Sequence, residues 1–192
     1  MSGRAYTIFD TGIGRCGIAW GDVGIVGVQL PEAREIETRK RLYRLYPDAR
    51  ETRPPANVEL AIEGIVTLLR GEGSDFSNVT LDMSGIHGFY QRVYQITRAI
   101  PRGETRTHRE IATRLGASGA THSVAQAIAR NPFVIIVPCH RVREADGHAD
   151  KMSPHGGTIS KRRLLSIEGV GNPSSKTLFD VLLPVAPPRL PG

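Results

Sequence analysis

The sequence predicts a mixed α/β fold of the α+β kind, in which an antiparallel sheet with helices precedes a mainly helical half. Three short apolar runs, YTIFD, CGIAW and IVGVQL, are separated by glycine turns within the first thirty residues, which is typical of an antiparallel sheet. From Phe89 onward, apolar residues recur at helical spacing instead. Because 40% of the 192 residues are apolar, the chain can bury a core.

Changes in the spacing of apolar residues along the chain indicate the domain boundaries. Residues 1–85 form the predicted sheet domain, which includes helices at 34–45 and 56–70. The run VTLDM is expected to be a fourth strand or a sheet edge. Residues 86–171 form the predicted helical domain.

The helical half begins with three predicted helices, the last two of which resemble a helix-turn-helix. The first is FYQRVYQITRAI, whose apolar residues share one face. The second is THREIATRLG, where Thr107 and Glu110 have the spacing of an N-terminal capping box. A glycine-containing turn leads to the third, THSVAQAIARN, which is rich in small residues.

Positive charge is concentrated in the same half of the chain. Residues 1–85 hold 10 Lys and Arg against 12 Asp and Glu, whereas residues 86–171 hold 13 against 6. All six histidines lie between His87 and His155. Such a local excess predicts a polyanionic partner, most simply nucleic acid, with an inert basic surface as the alternative.

Several classes of protein are disfavoured by simple counts. No apolar run approaches the roughly 18 residues of a membrane span, and the N-terminus lacks a signal-peptide pattern. The two cysteines, Cys16 and Cys139, are too few for a disulfide framework or a zinc site, and Cys16 is expected to be structural. We therefore expect a monomeric, non-secreted protein of the cytoplasm or nucleus, with residues 172–192 as a proline-rich surface tail.

The most informative stretch is PFVIIVPCHRV, where an apolar run predicts a buried strand that ends at Cys139. A thiol reacts as thiolate, and burial opposes its ionisation, so a nucleophilic Cys139 needs a base. His140 is adjacent, and a carboxylate such as Glu168, at the end of the predicted last helix, could orient it. The alternative is that Cys139 is simply a small buried apolar residue.

These motifs together resemble the O6-alkylguanine-DNA alkyltransferase family. PCHRV, preceded by NP and an apolar run, is similar to the active-site signature of that family. FYQRVYQITRAIPRGETRTHREIATRLG, VAQAIARNP and KRRLLSIEG resemble its helices before and after that site. The resemblance covers nearly all of residues 86–171, whereas residues 1–85 match the family only in size and in their pattern of a sheet with helices.

The resemblance implies a role for each matching residue. Cys139 would be the alkyl acceptor, His140 a base acting through a water, Glu168 the residue that orients it, and Asn131 a hinge. The expected partner is double-stranded DNA carrying an alkylated base, which is flipped out of the helix, and no cofactor or metal is expected.

The resemblance also implies supporting positions. Pro138 and Arg141 would brace the cysteine corner. DNA contacts are implied for Thr121, His122, Ser123, Gln126 and Arg130. Pocket positions are implied for His108, Val142, Pro154, His155 and Gly156.

The chain departs from the family pattern around the substrate. His108 stands where the family carries a tyrosine, His122 where it carries an intercalating arginine, and Gln126 where it carries a small residue. Pro154 and His155 precede the Gly-Gly pair that usually follows a tyrosine. We interpret these changes as altered recognition of the substrate with the chemistry at the cysteine unchanged. The alternative is neutral sequence drift in a repair enzyme that tolerates substitutions.

Three other functions compete with alkyl transfer. A non-catalytic protein of the same fold would recognise an alkylated base and signal to other repair machinery. A helix-turn-helix regulator would need more base-reading side chains than Gln126 and His122 provide. A thiol hydrolase would need an oxyanion hole, which the sequence does not reveal.

Overall fold

The computed structural model describes residues 3–144, 154–157 and 159–170. Within these residues a four-stranded sheet is followed by a helical region, which confirms the predicted α+β class. The predicted tail, residues 172–192, lies outside the described residues. No helix in the described ranges is long and apolar enough to cross a membrane.

The sheet has the three predicted antiparallel strands, in the spatial order β3-β2-β1-β4. They are β1 (Ala5–Thr11), β2 (Gly14–Trp20) and β3 (Ile25–Gln29). The fourth strand, β4 (Arg50–Glu51), pairs in parallel with β1 and was not predicted. VTLDM is at the expected sheet edge but is not a strand, because only Leu81 forms a bridge, with Ile25.

Two helices cover the sheet, close to their predicted bounds. They are α1 (Glu35–Leu45) and α2 (Ala56–Leu69). Helix α1 places Leu42 in a small apolar cluster with Ala19 and Tyr46. Helix α2 instead buries Val58, Ala61, Ile65, Leu68 and Leu69 in the main core.

The described residues of the second half contain four α-helices and a two-stranded parallel pair. The helices are α3 (Gly88–Arg98), α4 (His108–Arg114), α5 (Thr121–Ala129) and α6 (Lys161–Ile167), and the strands are β5 (Arg106–Thr107) and β6 (Val142–Arg143). The predicted capping box is confirmed, since Thr107 and Glu110 bond each other's backbone N–H groups. Gly116 ends the turn after α4 with φ +69°, a conformation that favours glycine.

The main core runs through both halves of the chain. One cluster of buried apolar residues includes Cys16 and Ile18 of the sheet as well as Val93, Val142 and Leu164 of the second half. Tyr94 reaches across this core, and its hydroxyl donates to Ala127 O (3.0 Å). The sheet therefore supports the region around Cys139, and the boundary at residue 85 stays a prediction.

Candidate active site

The segment before Cys139 is a tight buried loop rather than the predicted strand. Phe133–Val137 is fully buried, as predicted, but Val137 N donates to Phe133 O (2.7 Å) and the chain turns back on itself. Ile135 has φ +74°, which for a β-branched residue costs about 1–3 kcal/mol. The strand prediction was wrong because tertiary hydrogen bonds override the local preference of the apolar run.

The side chain of Asn131 connects the two ends of this loop by hydrogen bonds. Its amide nitrogen donates to Val137 O (2.9 Å), and its amide oxygen accepts from Phe133 N (2.9 Å). The side chain is completely buried. Val28 N on β3 donates to Pro132 O (2.8 Å), so the sheet fixes the start of the same loop.

Cys139 follows the loop as the first residue of a short 3₁₀ turn, Cys139–Arg141. Its thiol is free and fully buried. Burial raises the pKa of Cys139, while a hydrogen bond from Asn131 and the positive charge of Lys161 act in the opposite direction. The thiolate therefore depends on the charged and polar groups that surround it.

His140, Glu168 and Arg141 form a buried cluster beside the thiol. His140 Nε2 lies 2.8 Å from Glu168 Oε1. Arg141 donates to both oxygens of Glu168, from Nη2 to Oε1 (2.7 Å) and from Nε to Oε2 (3.0 Å). Arg141 Nη1 also donates to Ile100 O (2.6 Å), which connects the cluster to the end of α3.

The charges of this cluster determine the tautomer of His140. Burial would raise the pKa of Glu168, but hydrogen bonds from His140 and Arg141 outweigh it and bring that pKa to about 2. Burial lowers the pKa of His140 despite its bond to Glu168. A neutral His140 that donates from Nε2 to the carboxylate keeps Nδ1 as a proton acceptor, and this buried nitrogen has no partner among the described residues.

Lys161 is a charged residue of the site that the sequence reasoning missed. It is the first residue of α6, it is buried, and its Nζ donates to Val142 O (3.1 Å). A signal was available: Lys161 lies on the same helical face as the buried Leu164 and Glu168, at spacings of three and seven residues.

The predicted pocket residues lie on three separate elements. His108 begins α4 and is buried, and Val142 is buried on β6, which pairs with β5. Pro154 begins the short 3₁₀ segment Pro154–Gly156. The buried Gly156 is the last residue of that segment.

His155, the middle residue of the segment Pro154–Gly156, is buried next to the sheet. Its carbonyl accepts from Leu30 N (2.8 Å). Burial lowers the pKa of His155 to about 4, helped by the charge of Arg41 and opposed by a bond to the Val28 backbone. The next residue, Gly157, has φ +58°, and a Cβ there would lie 2.3 Å from Pro31 O. The sheet domain thus supports the pocket segment directly.

The predicted DNA-contact residues line the outer side of α5. Val124, Ala127 and Ile128 face the core, whereas His122, Gln126 and Arg130 are exposed and Thr121 and Ser123 are half-buried. The amide nitrogen of Gln126 donates to His122 Nε2 (3.1 Å). Helix α5 therefore offers a continuous polar surface to a partner.

No cluster of three or more His, Cys, Asp or Glu is placed to hold an ion among the residues that the structure describes.

Known proteins resemble this chain in sequence and in structure. The family model for the DNA-binding domain of 6-O-methylguanine DNA methyltransferase matches residues 88–170. The methylated-DNA–protein-cysteine methyltransferase of Methanothermobacter thermautotrophicus is 36% identical over 154 residues, which cover 80% of this chain and 79% of that protein.

Two solved structures extend the likeness to the fold. The crystal structure of Mycobacterium tuberculosis O6-methylguanine methyltransferase is 33% identical with a TM-score of 0.68, covering 92% of this chain and 99% of that one. The structure of the Mycobacterium tuberculosis OGT in complex with DNA is 32% identical with a TM-score of 0.64, covering 85% and 92%.

Proposed function

Since this chain belongs to the 6-O-methylguanine DNA methyltransferase family, we propose that it repairs DNA by moving an alkyl group from O6-alkylguanine to Cys139. The observation that carries the assignment of residues is the buried cluster of Cys139, His140, Glu168 and Arg141. The partner is double-stranded DNA bound by α5, so the protein acts where DNA is found, in the cytoplasm or the nucleus.

In the proposed reaction, His140 Nδ1 takes the thiol proton of Cys139, directly or through a water molecule. Sulfur then attacks the alkyl carbon from the side opposite O6, and the carbon–sulfur bond forms as the carbon–O6 bond breaks. The electron pair of the broken bond stays on the guanine, which takes a proton as it leaves, with His108 as the proposed donor. Because the thioether is stable, each protein molecule reacts once.

The surrounding groups each have a part in this reaction. The ionised Glu168 orients His140 and stabilises the imidazolium that forms. Asn131 and Lys161 favour the thiolate of Cys139 against the effect of burial. The exposed face of α5 would contact DNA. His122 and Gln126 lie on this face and are hydrogen-bonded to each other.

The proposal is tested by the intact mass of the full chain after incubation with a duplex containing O6-methylguanine. We expect the wild type to gain the mass of one CH₂ group and Cys139→Ala to gain nothing. Cys16→Ala is the matched control and should gain as the wild type does, because burial raises the pKa of Cys16 to about 12.

Two results would contradict the proposal. Many turnovers without a mass gain would indicate hydrolysis. Duplex binding that is unchanged in Cys139→Ala, with no mass gain in the wild type, would indicate a non-catalytic binder of alkylated bases.

A second prediction concerns His108, which is buried at the start of α4. If His108 donates the proton to the departing guanine in place of the family's tyrosine, His108→Tyr should raise the rate of methyl transfer, by about tenfold or more. Single-turnover rates between pH 6 and 9 measure this, with Glu63→Tyr on the exposed face of α2 as control. An equal or lower rate would show that His108 serves a different substrate.

A further inference from the structure

A crevice outside the proposed thiol pocket lies between the loop at residues 74–77, the end of α3, the turn at 99–102 and the loop at 135–138. We call it the rear crevice. Its volume is about 460 Å³, within the range of small-molecule sites. Neither Cys139 nor the pocket residues His108 and Val142 line it. The rear crevice is therefore separate from the place where the alkylated base would react.

The rim of the rear crevice carries an excess of positive charge. Arg98, Arg102 and Arg141 line it, against a single carboxylate, Asp75. Asp75 is already engaged by Ser77, whose N and Oγ each donate to it at 2.8 Å. Arg141 is neutralised by Glu168. Arg98 and Arg102 then outnumber the one remaining carboxylate, Asp75, and leave the rim with a net charge of +1 from these three side chains.

Arg98 is half-buried without a carboxylate partner. Its guanidinium donates to the carbonyls of Phe76 and of Val79 (2.8 Å), and within the described ranges it makes no ion pair. Burial lowers the pKa of Arg98, and only the charge of Asp75 opposes this. Arg102 lies in the turn after α3 and likewise donates to the carbonyls of Gly71 and Ile167. Both arginines are held by backbone carbonyls, and neither forms an ion pair within the described ranges.

The rear crevice also has an apolar part. Ile100, Ile135 and Ile136 are nearly fully buried, and Pro138 and the half-buried ring of Phe76 also line it. A ligand that fits must combine a flat or apolar part with an anionic end. An arginine pair favours phosphate, because each guanidinium presents several donors in a planar fork.

We propose that the rear crevice binds a nucleoside monophosphate, with its phosphate on Arg98 and Arg102 and its base against Phe76, Ile100 and Pro138. The site needs neither alkylated DNA nor the thiol. The same phosphate chemistry is found in a free nucleotide and at the end of a DNA strand, and binding of each is measured separately.

The test is calorimetric titration of the full chain with adenosine 5′-monophosphate, adenosine, inorganic phosphate and a short 5′-phosphorylated single strand. Gln95 lines the rear crevice, is exposed and forms no hydrogen bond among the described side chains, so its charge can be changed without breaking a contact. We expect saturable binding of the monophosphate that is about threefold weaker in Gln95→Glu and about threefold tighter in Gln95→Lys. Arg102→Gln should also weaken it, whereas Arg44→Gln, on the exposed side of α1, should not.

Three outcomes would overturn the proposal. They are no saturable binding, equal affinities in the two Gln95 variants, and inorganic phosphate binding as tightly as the nucleotide. Tighter binding of the phosphorylated strand than of the free nucleotide, weakened in Gln95→Glu in the same way, would support the site and identify DNA as its source of phosphate. Because no alkyl transfer is measured, failure here leaves the proposed repair function untouched.

Discussion

Replacing Glu168 with glutamine is expected to slow methyl transfer to Cys139 at neutral pH by about a hundredfold or more. The carboxylate accepts from His140 Nε2 and therefore holds the histidine in the tautomer whose Nδ1 can take a proton. A glutamine can present its amide nitrogen to His140, which favours the opposite tautomer. Single-turnover transfer from a methylated duplex, followed by intact mass, measures the loss.

The same substitution is expected to destabilise the fold. Arg141 is nearly buried and donates to Glu168 from two nitrogens, so Glu168→Gln leaves a buried guanidinium without its counter-charge. Breaking a buried ion pair in this way costs about 3–5 kcal/mol. Urea unfolding measures the difference, with Glu63→Gln on the exposed face of α2 as the control.

The pH dependence of this effect has a definite sign. The pKa of Glu168 is about 2 in the folded protein, below its usual 4.5, so its ionisation favours folding above about pH 4.5. That contribution is lost as the pH falls towards 2. The difference in unfolding free energy between wild type and Glu168→Gln should therefore be constant at neutral pH and shrink below about pH 4.5.

Rate and stability together distinguish a positioning residue from a merely structural one. If Glu168→Gln lowers stability but leaves the transfer rate and its pH profile unchanged, Glu168 only anchors Arg141. If Glu168→Gln keeps both the stability and the transfer rate of the wild type, the buried ion pair between Glu168 and Arg141 does not stabilise the protein.

The elements that local sequence determines were predicted closely. The capping box at Thr107 and Glu110 depends on residues three apart, and the three antiparallel strands depend on glycine turns between short apolar runs. Strand β4 could not be predicted, because two residues, Arg50 and Glu51, carry no periodic signal. It forms only because the chain returns beside β1.

The loop before Cys139 shows where local reasoning fails. Five consecutive apolar residues, of which the last four are β-branched, favour a strand, yet Ile135 is in a left-handed conformation. The cause is non-local, since Asn131 bonds both ends of the loop and β3 holds its first carbonyl. Burial was predicted correctly because it depends on residue type, whereas the backbone path was not.

The chemistry of the site was predicted in part. His140 and Glu168 are in contact, as the sequence reasoning expected, although they are 28 residues apart in the chain. Arg141 was predicted to brace the cysteine corner, but its partners, Glu168 and Ile100 O, were not predicted. Lys161 was missed, because its partner is a backbone carbonyl of another element. The roles of all these residues stay predictions until the variants are measured.

Replacing Asn131 with alanine is expected to lower both stability and transfer rate. The change leaves Phe133 N–H buried without its acceptor, at about 1–3 kcal/mol, and removes one of the two donors to Val137 O, which keeps its bond from Cys139 N (2.8 Å). The loop then loses the restraint that holds Ile135 at positive φ, and Cys139 loses the hydrogen bond that favours its thiolate. We expect a total loss of about 2–5 kcal/mol and at least a tenfold slower transfer.

Asn131→Asp separates these two effects. The aspartate keeps an oxygen for Phe133 N but faces Val137 O with a second acceptor, and it adds a buried negative charge beside the thiol. A thiolate next to that charge is disfavoured, so the pH at which transfer reaches half its maximum should rise relative to Asn131→Ala. Asn78→Ala, at an exposed position, should change neither stability nor rate. If Asn131→Ala unfolds at the wild-type urea concentration, the loop is held by the sheet alone, and the thiol does not depend on this side chain for its position.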